Sequence, residues 1–187
     1  MPWPRAGPDH PAPSSMPLVD FQIANLSQAS PGLIEPFNPE QLNPCSYDVR
    51  LGDTLLIESA AGPDMVPYPL HHHSEADPYL LKPGQFALAP TPETFNLPPT
   101  IAAQFVLKSS RAREGLQHLL AGWCDPGWHG SVLTMELQNV RQLHPIALWP
   151  GMRIGQMVFH DVTVRPARHY GETGRYNGDR TVQASKG

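Results

Sequence analysis

Residues 131–138 show a period-two pattern of apolar and polar side chains. Leu133, Met135 and Leu137 fall on one side, and Val132, Thr134, Glu136 and Gln138 fall on the other. Successive side chains of a β-strand point to opposite faces, so this pattern predicts a strand with one buried face. Glu136 is a lone carboxylate among the apolar neighbours of that strand. It is either a solvent-facing residue or a residue whose charge is used.

Other short stretches are apolar or alternate in the same way, separated by proline and glycine. Residues 47–57 predict two strands joined by a turn or bulge at Gly52 and Asp53. Further short strands are predicted at residues 79–81, 86–89, 101–107, 146–149 and 154–164. Residues 18–27 predict a short helix, whereas residues 31–46 and 58–79 predict loops. This spacing predicts an all-β barrel or sandwich with one or two short helices.

The two ends of the chain differ in composition from its centre. Residues 1–17 contain six prolines and predict a flexible N-terminal extension. Residues 18–165 contain the predicted strands and are expected to form one β domain. Residues 166–187 are polar and rich in glycine, and they predict a C-terminal tail.

Composition limits the classes of function. The 23 prolines favour short strands over long helices. A net charge of −4 argues against coating nucleic acid, although a local basic cluster can still bind a nucleotide-sized anion. Two cysteines, Cys45 and Cys124, do not form a disulfide framework and favour a cytoplasmic location. No apolar run approaches the roughly 18 residues of a membrane span, so no membrane partner is expected.

Two polar clusters precede the alternating strand. Residues 109–113 (Ser-Ser-Arg-Ala-Arg) place hydroxyl and guanidinium donors close together, which suits phosphate oxygens. Ser109 or Ser110 would cap a short helix there, and the alternative is an ordinary cap with solvated arginines. Asp125 precedes a Pro-Gly pair, a pattern that turn formation alone can explain. A Glu136 that faced a closed pocket would have a raised pKa and could transfer protons near neutral pH.

The sequence does not indicate a zinc site. Residues 71–73 are three consecutive histidines, whose side chains diverge in an extended chain, so an exposed loop is predicted. Zinc deaminases use His-x-Glu followed downstream by Pro-Cys-x-x-Cys. Here the Pro-Cys pair at residues 44–45 lies upstream of the His-x-Glu at residues 73–75. No metal-ligating residues are therefore predicted.

Four motifs, in the right order, resemble those of the dCTP deaminase family. Residues 108–115 (KSSRAREG) resemble its Arg-Ser-Ser-x-Ala-Arg-x-Gly, and residues 124–130 (CDPGWHG) resemble its Ile-Asp-Pro-Gly-[Trp/Phe]-x-Gly. Residues 133–139 (LTMELQN) resemble Thr-Leu-Glu-Leu-x-Asn, and residues 149–156 (WPGMRIGQ) resemble Pro-Gly-Met-x-Ile-Gly-Gln. Residues 34–38 and 41–52 resemble the family's N-terminal segment. The resemblance runs from about residue 18 to the C-terminus.

The resemblance implies a dUTPase-like fold, a distorted β-barrel or jelly roll that assembles as a homotrimer with active sites shared between subunits. It implies deamination of dCTP to dUTP and ammonia without zinc. Glu136 would be the proton shuttle that activates water for attack on C4 of cytosine. Ser109 would help to hold that water, and Arg113 would lie near the reacting centre and the phosphates.

The resemblance also assigns nucleotide-binding roles. Lys108, Ser110 and Arg111 would line the triphosphate, whose charge is shared with Mg²⁺. Asp125 would hold the deoxyribose 3′-hydroxyl, and the backbone of Thr134 and Met135 would meet the base edge. Tyr170, Arg175 and Asp179 lie near the family's Tyr, Lys and Gln, which close over the nucleotide.

Several positions depart from the family pattern. Lys108 stands where the family has Arg, Arg175 replaces a Lys, and Asp179 replaces a Gln, which brings a negative charge near a triphosphate. The segment between Gly115 and Asp125 is one residue short, and the segment between Gly130 and Glu136 is one residue long. A compensating β-bulge is predicted, and it decides which way Glu136 faces.

Three alternatives to a dUTP-forming deaminase remain. Residues 121–125 (AGWCD) resemble the Ala-Gly-[Phe/Trp]-Ile-Asp of bifunctional relatives, which also hydrolyse the triphosphate to dUMP and pyrophosphate. A plain dUTPase would leave Glu136 without a role. A catalytically silent, dUTPase-like nucleotide-binding regulator is the third alternative, and Asp179 is the residue that favours it.

Overall fold

The strands of the described part of the chain range from two to 11 residues, and all their pairings are antiparallel. The computed structural model describes residues 16–187, and the predicted extension, apart from its last two residues, lies outside that range. The strands are β1 (Met16–Pro17), β2 (Ile34–Glu35), β3 (Leu42–Asn43), β4 (Ser46–Arg50), β5 (Thr54–Ser59), β6 (Gly62–Pro69), β7 (Tyr79–Leu81), β8 (Phe86–Asn96), β9 (Ile101–Leu107), β10 (Leu116–Gln117), β11 (Trp123–Cys124), β12 (His129–Asn139), β13 (Ile146–Leu148) and β14 (Arg153–Asp161).

Helical structure is limited to α1 (Asp20–Ser27), α2 (Ser109–Arg113), α3 (Tyr170–Thr173) and a 3₁₀ turn at Pro39–Gln41. The predicted helix at residues 18–27 is confirmed as α1. Its Ile23 is fully buried, whereas Phe21 is 63% exposed. Throughout residues 16–187, no helix has the length and apolar character needed to cross a membrane.

The strands form two larger sheets. One has the order β11-β9-β14-β4-β3, with β1 also on β14, and the other has the order β10-β12-β8-β5-β6, with β2 also on β8. A two-stranded β13-β7 sheet completes the set. Side chains of both large sheets, including Tyr47, Phe105, Met135 and Phe159, belong to one hydrophobic core. The all-β prediction is confirmed, but no strand pairing within residues 16–187 closes the two sheets into a barrel.

The predicted strand pair at residues 47–57 does not form a hairpin. β4 pairs with β3 and β14, whereas β5 pairs with β6 and β8 in the other sheet. The chain changes sheets at Gly52, whose N–H donates to the Pro90 carbonyl at 2.8 Å. A Cβ at this position would lie 2.8 Å from the same oxygen, so glycine permits the close approach. Local alternation predicted both strands correctly, but it carries no information about their partners.

The predicted loop at residues 58–79 is wrong in part, because it contains strand β6. This strand pairs only with β5 and lies at a sheet edge, where its prolines do not remove hydrogen bonds from a second neighbour. The three histidines follow it in a turn, as predicted, with His71 and His72 exposed. β8 also extends beyond the predicted residues 86–89, because Pro90 and Pro92 interrupt its sequence pattern without ending the strand.

Gly155 in β14 leaves room for the ring of Phe105, which is a buried residue of β9. A Cβ at Gly155 would overlap that ring and lie 2.8 Å from the Val106 carbonyl oxygen. We therefore predict that Gly155→Ala lowers the free energy of unfolding by about 1–3 kcal/mol or more, measured by urea denaturation. Gly62→Ala is the matched control, because a Cβ there meets no atom within 4 Å. Equal stability of the two variants would contradict the packing argument.

Candidate active site

A cavity of about 480 Å³ lies between the β8–β12 face of one sheet and the C-terminal tail. Its apolar wall includes Phe86, Leu88, Trp123 and Trp128. Its polar members are Thr134, Glu136, Tyr170, Tyr176, Asp179, Gln183 and Ser185. An apolar pocket with a few convergent polar groups is the usual form of a small-molecule site.

Strand β12 carries Glu136 into this cavity. Leu133, Met135 and Leu137 are buried on the core side, as the alternation predicts, so Thr134 and Glu136 face the other way. The predicted bulge is present at Gly130: His129 pairs with Asn96 and Ser131 with Phe95, which leaves Gly130 as an extra residue. Its φ of +63° is a conformation that glycine adopts readily. The extra residue is thus absorbed before the strand reaches Glu136.

A second irregularity in the same strand pair lies beside the cavity. Val132 pairs with Thr94 and Thr134 with Pro90, so three residues of β8 stand opposite Leu133. The Leu133 N–H donates to Thr91 Oγ1 at 3.0 Å, which satisfies a backbone donor that the ladder cannot reach.

Burial raises the pKa of the Glu136 carboxyl group, and a hydrogen bond involving its own backbone partly opposes this effect. Leu88 pairs directly with Glu136 across the sheet and is itself 8% exposed, so apolar surface replaces water on that side. A raised pKa makes a carboxyl group a better proton carrier near neutral pH. Burial also raises the pKa of the neighbouring Cys124 to about 12, so its thiol is a neutral part of the wall at pH 7.

The tail packs over the cavity and is fixed to β12 and the residues before it. The Val132 N–H donates to the Asp179 carbonyl at 2.8 Å, and the Gln183 N–H donates to Thr134 Oγ1 at 3.1 Å. The indole N–H of Trp128 donates to the Tyr176 carbonyl at 3.0 Å. Tyr170 and Asp179 line the cavity, whereas the exposed Arg175 side chain does not.

The Ser109–Arg113 cluster forms α2 and does not line the cavity. The prediction that Ser109 or Ser110 caps this helix is wrong, because the N-cap is Lys108 and makes no side-chain capping bond. Lys108 itself has extended dihedral angles, so the helix starts at Ser109, at least one residue earlier than a serine cap requires. Ser109, Ser110 and Arg113 are all exposed.

Two cationic side chains at α2, those of Lys108 and Arg111, form ion pairs within the protein. Lys108 Nζ lies 2.7 Å from both carboxylate oxygens of Asp48, which is 2% exposed. A buried carboxylate needs such a partner, so the ion pair competes with a role for Lys108 at a triphosphate. Arg111 pairs with Glu114 at 2.8 Å, and its guanidinium lies 5.7 Å from the centre of the Trp149 ring. Arg113 makes no ion pair within the part of the chain that the structure describes.

Asp125 occupies the predicted turn. Its carbonyl accepts from the Trp128 N–H at 3.2 Å, and Gly127 has a φ of +87°. Its carboxylate accepts from the Trp123 indole N–H at 2.9 Å. Asp125 borders a neighbouring cleft that it shares with Arg168 and Tyr170, rather than the main cavity.

The structure brings together part of the predicted site. Glu136, Thr134, Tyr170 and Asp179 line the cavity. Met135 does not, because its side chain is fully buried in the core. The remaining predicted residues lie outside the lining: Lys108, Ser109, Ser110, Arg111, Arg113, Asp125 and Arg175. Sequence reasoning missed Tyr176 and Gln183 in the tail. It also missed Asp48, which the alternation of β4 placed on the face opposite Tyr47 and Val49.

A family model described as dCTP deaminase-like matches residues 18–162, most of the chain. The chain belongs to the dCTP deaminase-like family. The predicted family membership is confirmed. The match includes β2 to β14, and so both large sheets and the strand that carries Glu136.

Curated relatives of this dCTP deaminase-like protein support the same assignment. A protein of Methanosphaerula palustris named "dCTP deaminase, dUMP-forming" is 36% identical over 180 residues, covering 91% of this chain and 95% of the relative. A protein of the same name from Bifidobacterium longum is 40% identical over 184 residues, covering 91% and 94%. These relatives confirm the prediction of an enzyme of the dCTP deaminase family.

A solved structure supports the fold. The 2′-deoxycytidine 5′-triphosphate deaminase from Agrobacterium tumefaciens superposes with a TM-score of 0.63 at 20% identity, covering 79% of this chain and 49% of that one. This chain thus spans about half the length of that solved chain, and at this identity the likeness concerns the fold alone.

The raised pKa of Glu136 predicts a pH-dependent contribution to stability. A carboxyl group with a raised folded-state pKa favours folding at low pH, and this contribution is lost as pH rises through that pKa. Glutamine cannot lose a proton, so Glu136→Gln is expected to become increasingly stable relative to wild type as the pH rises above the ordinary glutamate pKa of about 4.3. Urea denaturation at several pH values measures the difference. Glu75→Gln, in an exposed turn, is the control. A pH-independent difference at Glu136 would contradict its burial as a carboxyl group.

Proposed function

We propose that this protein is a bifunctional enzyme that deaminates dCTP and hydrolyses the triphosphate, giving dUMP, pyrophosphate and ammonia. The dUMP-forming names of its relatives favour this reaction over the release of dUTP that the sequence first indicated. The observation that carries the proposal is Glu136, a carboxyl group with a raised pKa facing an apolar cavity of nucleotide size. A plain dUTPase would have no use for such a group.

In the proposed deamination, Glu136 takes a proton from water, and the resulting hydroxide attacks C4 of cytosine. Glu136 then delivers protons to the departing amino group, so one water is consumed and one ammonia is released. The raised pKa suits both halves of this shuttle, since the group must accept and donate a proton at one pH. The backbone of Thr134 and Met135 would meet the base edge, within the apolar wall formed by Phe86 and Leu88.

The triphosphate would be bound by a second subunit. We propose a homotrimer with shared sites, in which the exposed Ser109, Ser110 and Arg113 of one subunit face the cavity of its neighbour, with Ser109 holding the attacking water. Two observations support an interface here. Leu119 and Leu120 have positive φ angles of 54° and 60°, and Leu120 is 85% exposed. A strained, exposed apolar loop beside the cavity residue Trp123 is typical of a surface that another chain covers.

Mg²⁺ would arrive with the nucleotide. The part of the chain described here holds no cluster of three metal-ligating side chains, and the Asp179 carboxylate at the cavity is already paired with Lys186. These residues fit an ion whose ligands are phosphate oxygens and water, as Mg²⁺ prefers. Bound in this way, the ion would neutralise phosphate charge. A reaction without zinc and a cytoplasmic location remain predictions from the sequence.

Product analysis tests the proposed reaction. With dCTP and Mg²⁺, we expect dUMP, pyrophosphate and ammonia in equal amounts, resolved by anion-exchange chromatography and an ammonia assay. Accumulation of dUTP would contradict the hydrolytic half of the proposal. Nucleotide binding without turnover of dCTP or dUTP would instead favour a silent binding protein.

Replacing Glu136 tests the shuttle. Glu136→Gln keeps the shape of the side chain but cannot carry a proton, so ammonia release should fall by at least about a hundredfold. Binding of dCTP, followed by calorimetry, should remain within a few-fold of wild type. Glu75→Gln should leave both quantities unchanged. Loss of binding in the Glu136 variant would mean that this carboxyl group is structural.

A further inference from the structure

Asp179 and Lys186 form an ion pair at the two ends of one tail segment. Lys186 Nζ lies 2.7 Å from both carboxylate oxygens of Asp179. The same ammonium donates to the Arg175 carbonyl at 3.0 Å and lies 5.0 Å from the centre of the Tyr176 ring. The side chains are 16% exposed at Asp179 and 34% exposed at Lys186, so water screens this pair less than a fully exposed one.

The segment between these residues, 179–186, crosses the cavity. Gln183, Ala184 and Ser185 line it, together with Thr134 and Glu136 of β12. The backbone of the segment is attached at three points. The Asp179 carbonyl accepts from Val132 at 2.8 Å, the Gln183 N–H donates to Thr134 Oγ1 at 3.1 Å, and the Lys186 N–H donates to the Tyr176 hydroxyl at 3.0 Å.

We propose that the Asp179–Lys186 ion pair is a clasp that holds residues 179–186 across the cavity, which makes Lys186 a positioning residue for the reaction. This inference deepens the proposed function and rests on it where substrate is concerned. Fixing both ends of an eight-residue segment removes much of its freedom before a ligand binds, so a nucleotide would meet an ordered wall.

The clasp also accounts for an aspartate at a position where the resembling family has glutamine. An unpaired carboxylate beside a bound triphosphate would weaken binding by charge repulsion. Lys186 supplies the opposite charge at hydrogen-bonding distance from both oxygens, so the pair presents no net charge to the nucleotide. Lys186 would therefore be required because residue 179 is acidic, and neither residue alone reproduces the arrangement.

Hydrogen exchange in the ligand-free protein tests the clasp independently of any substrate. In Lys186→Gln we expect the Gln183 and Lys186-position amides to exchange at least about threefold faster, since local opening becomes easier. The charge-swapped double variant Asp179→Lys/Lys186→Asp should recover most of the protection. Lys82→Gln, at an exposed lysine without an ion pair among the described residues, is the control. Unchanged exchange in Lys186→Gln, or no recovery in the double variant, would overturn the clasp.

Steady-state kinetics test the positioning role. Lys186→Gln should raise the KM for dCTP about fivefold or more with kcat within about twofold, because ordering the tail then costs binding energy, whereas the closed site that forms still shields Glu136 as in the wild type. The charge-swapped variant should return KM towards wild type. A kcat loss without a KM change would overturn the positioning role. A wild-type protein that does not turn over dCTP would contradict the proposed function, and hydrogen exchange would still decide the clasp.

Discussion

Strand β12 has one face in the hydrophobic core and the other at the cavity, and the candidate site depends on this constraint. Met135 and Leu137 are fully buried in the core, so Thr134 and Glu136 have to face the opposite side of the sheet. A one-residue slip would bury Glu136 in the core and expose the apolar residues, at a cost of several kcal/mol. The Gly130 bulge takes up the extra residue before this register begins. Core packing therefore fixes the direction of the carboxyl group.

The sequence predicted local structure well where a strand or helix buries one face in the core. The alternation of β12 and the helix α1 are both observed, because each depends only on which side chains are buried nearby. Pairing was not predictable in the same way. β4 and β5 look like a hairpin in sequence, yet they join different sheets, since their partners β14 and β8 are distant in the chain. Strand β6 was missed because an edge strand tolerates prolines that a central strand would not.

The candidate site was predicted from motifs, and the structure shows which motif residues already have partners within the protein. A basic motif does not show which cation is already paired, and Lys108 is held by the buried Asp48. Likewise, the Glu93 carboxylate has no exposed surface and pairs with Arg50 at 2.7 Å. Both acids are in the interior, so their cations are needed for folding before they are available for phosphate. In the predicted basic cluster, Ser109, Ser110 and Arg113 remain exposed. In the proposed trimer they would reach the site of another subunit.

The position of the tail and the pKa of Glu136 depend on each other, because the tail excludes water from the cavity. Tyr176, Gln183 and Ser185 line the same cavity as the carboxyl group, so a tail in place keeps water from part of the space around Glu136. Burial is the main cause of its raised pKa, and opening the tail would therefore lower that pKa. Linkage requires the reverse effect as well: a protonated Glu136 favours the closed tail, and an ionised one favours opening. In the proposed reaction the carboxyl group of Glu136 changes its charge during each turnover, so the closed tail would be most stable while Glu136 holds the proton taken from water. Closure and chemistry would in this way reinforce each other through the solvation of one carboxyl group.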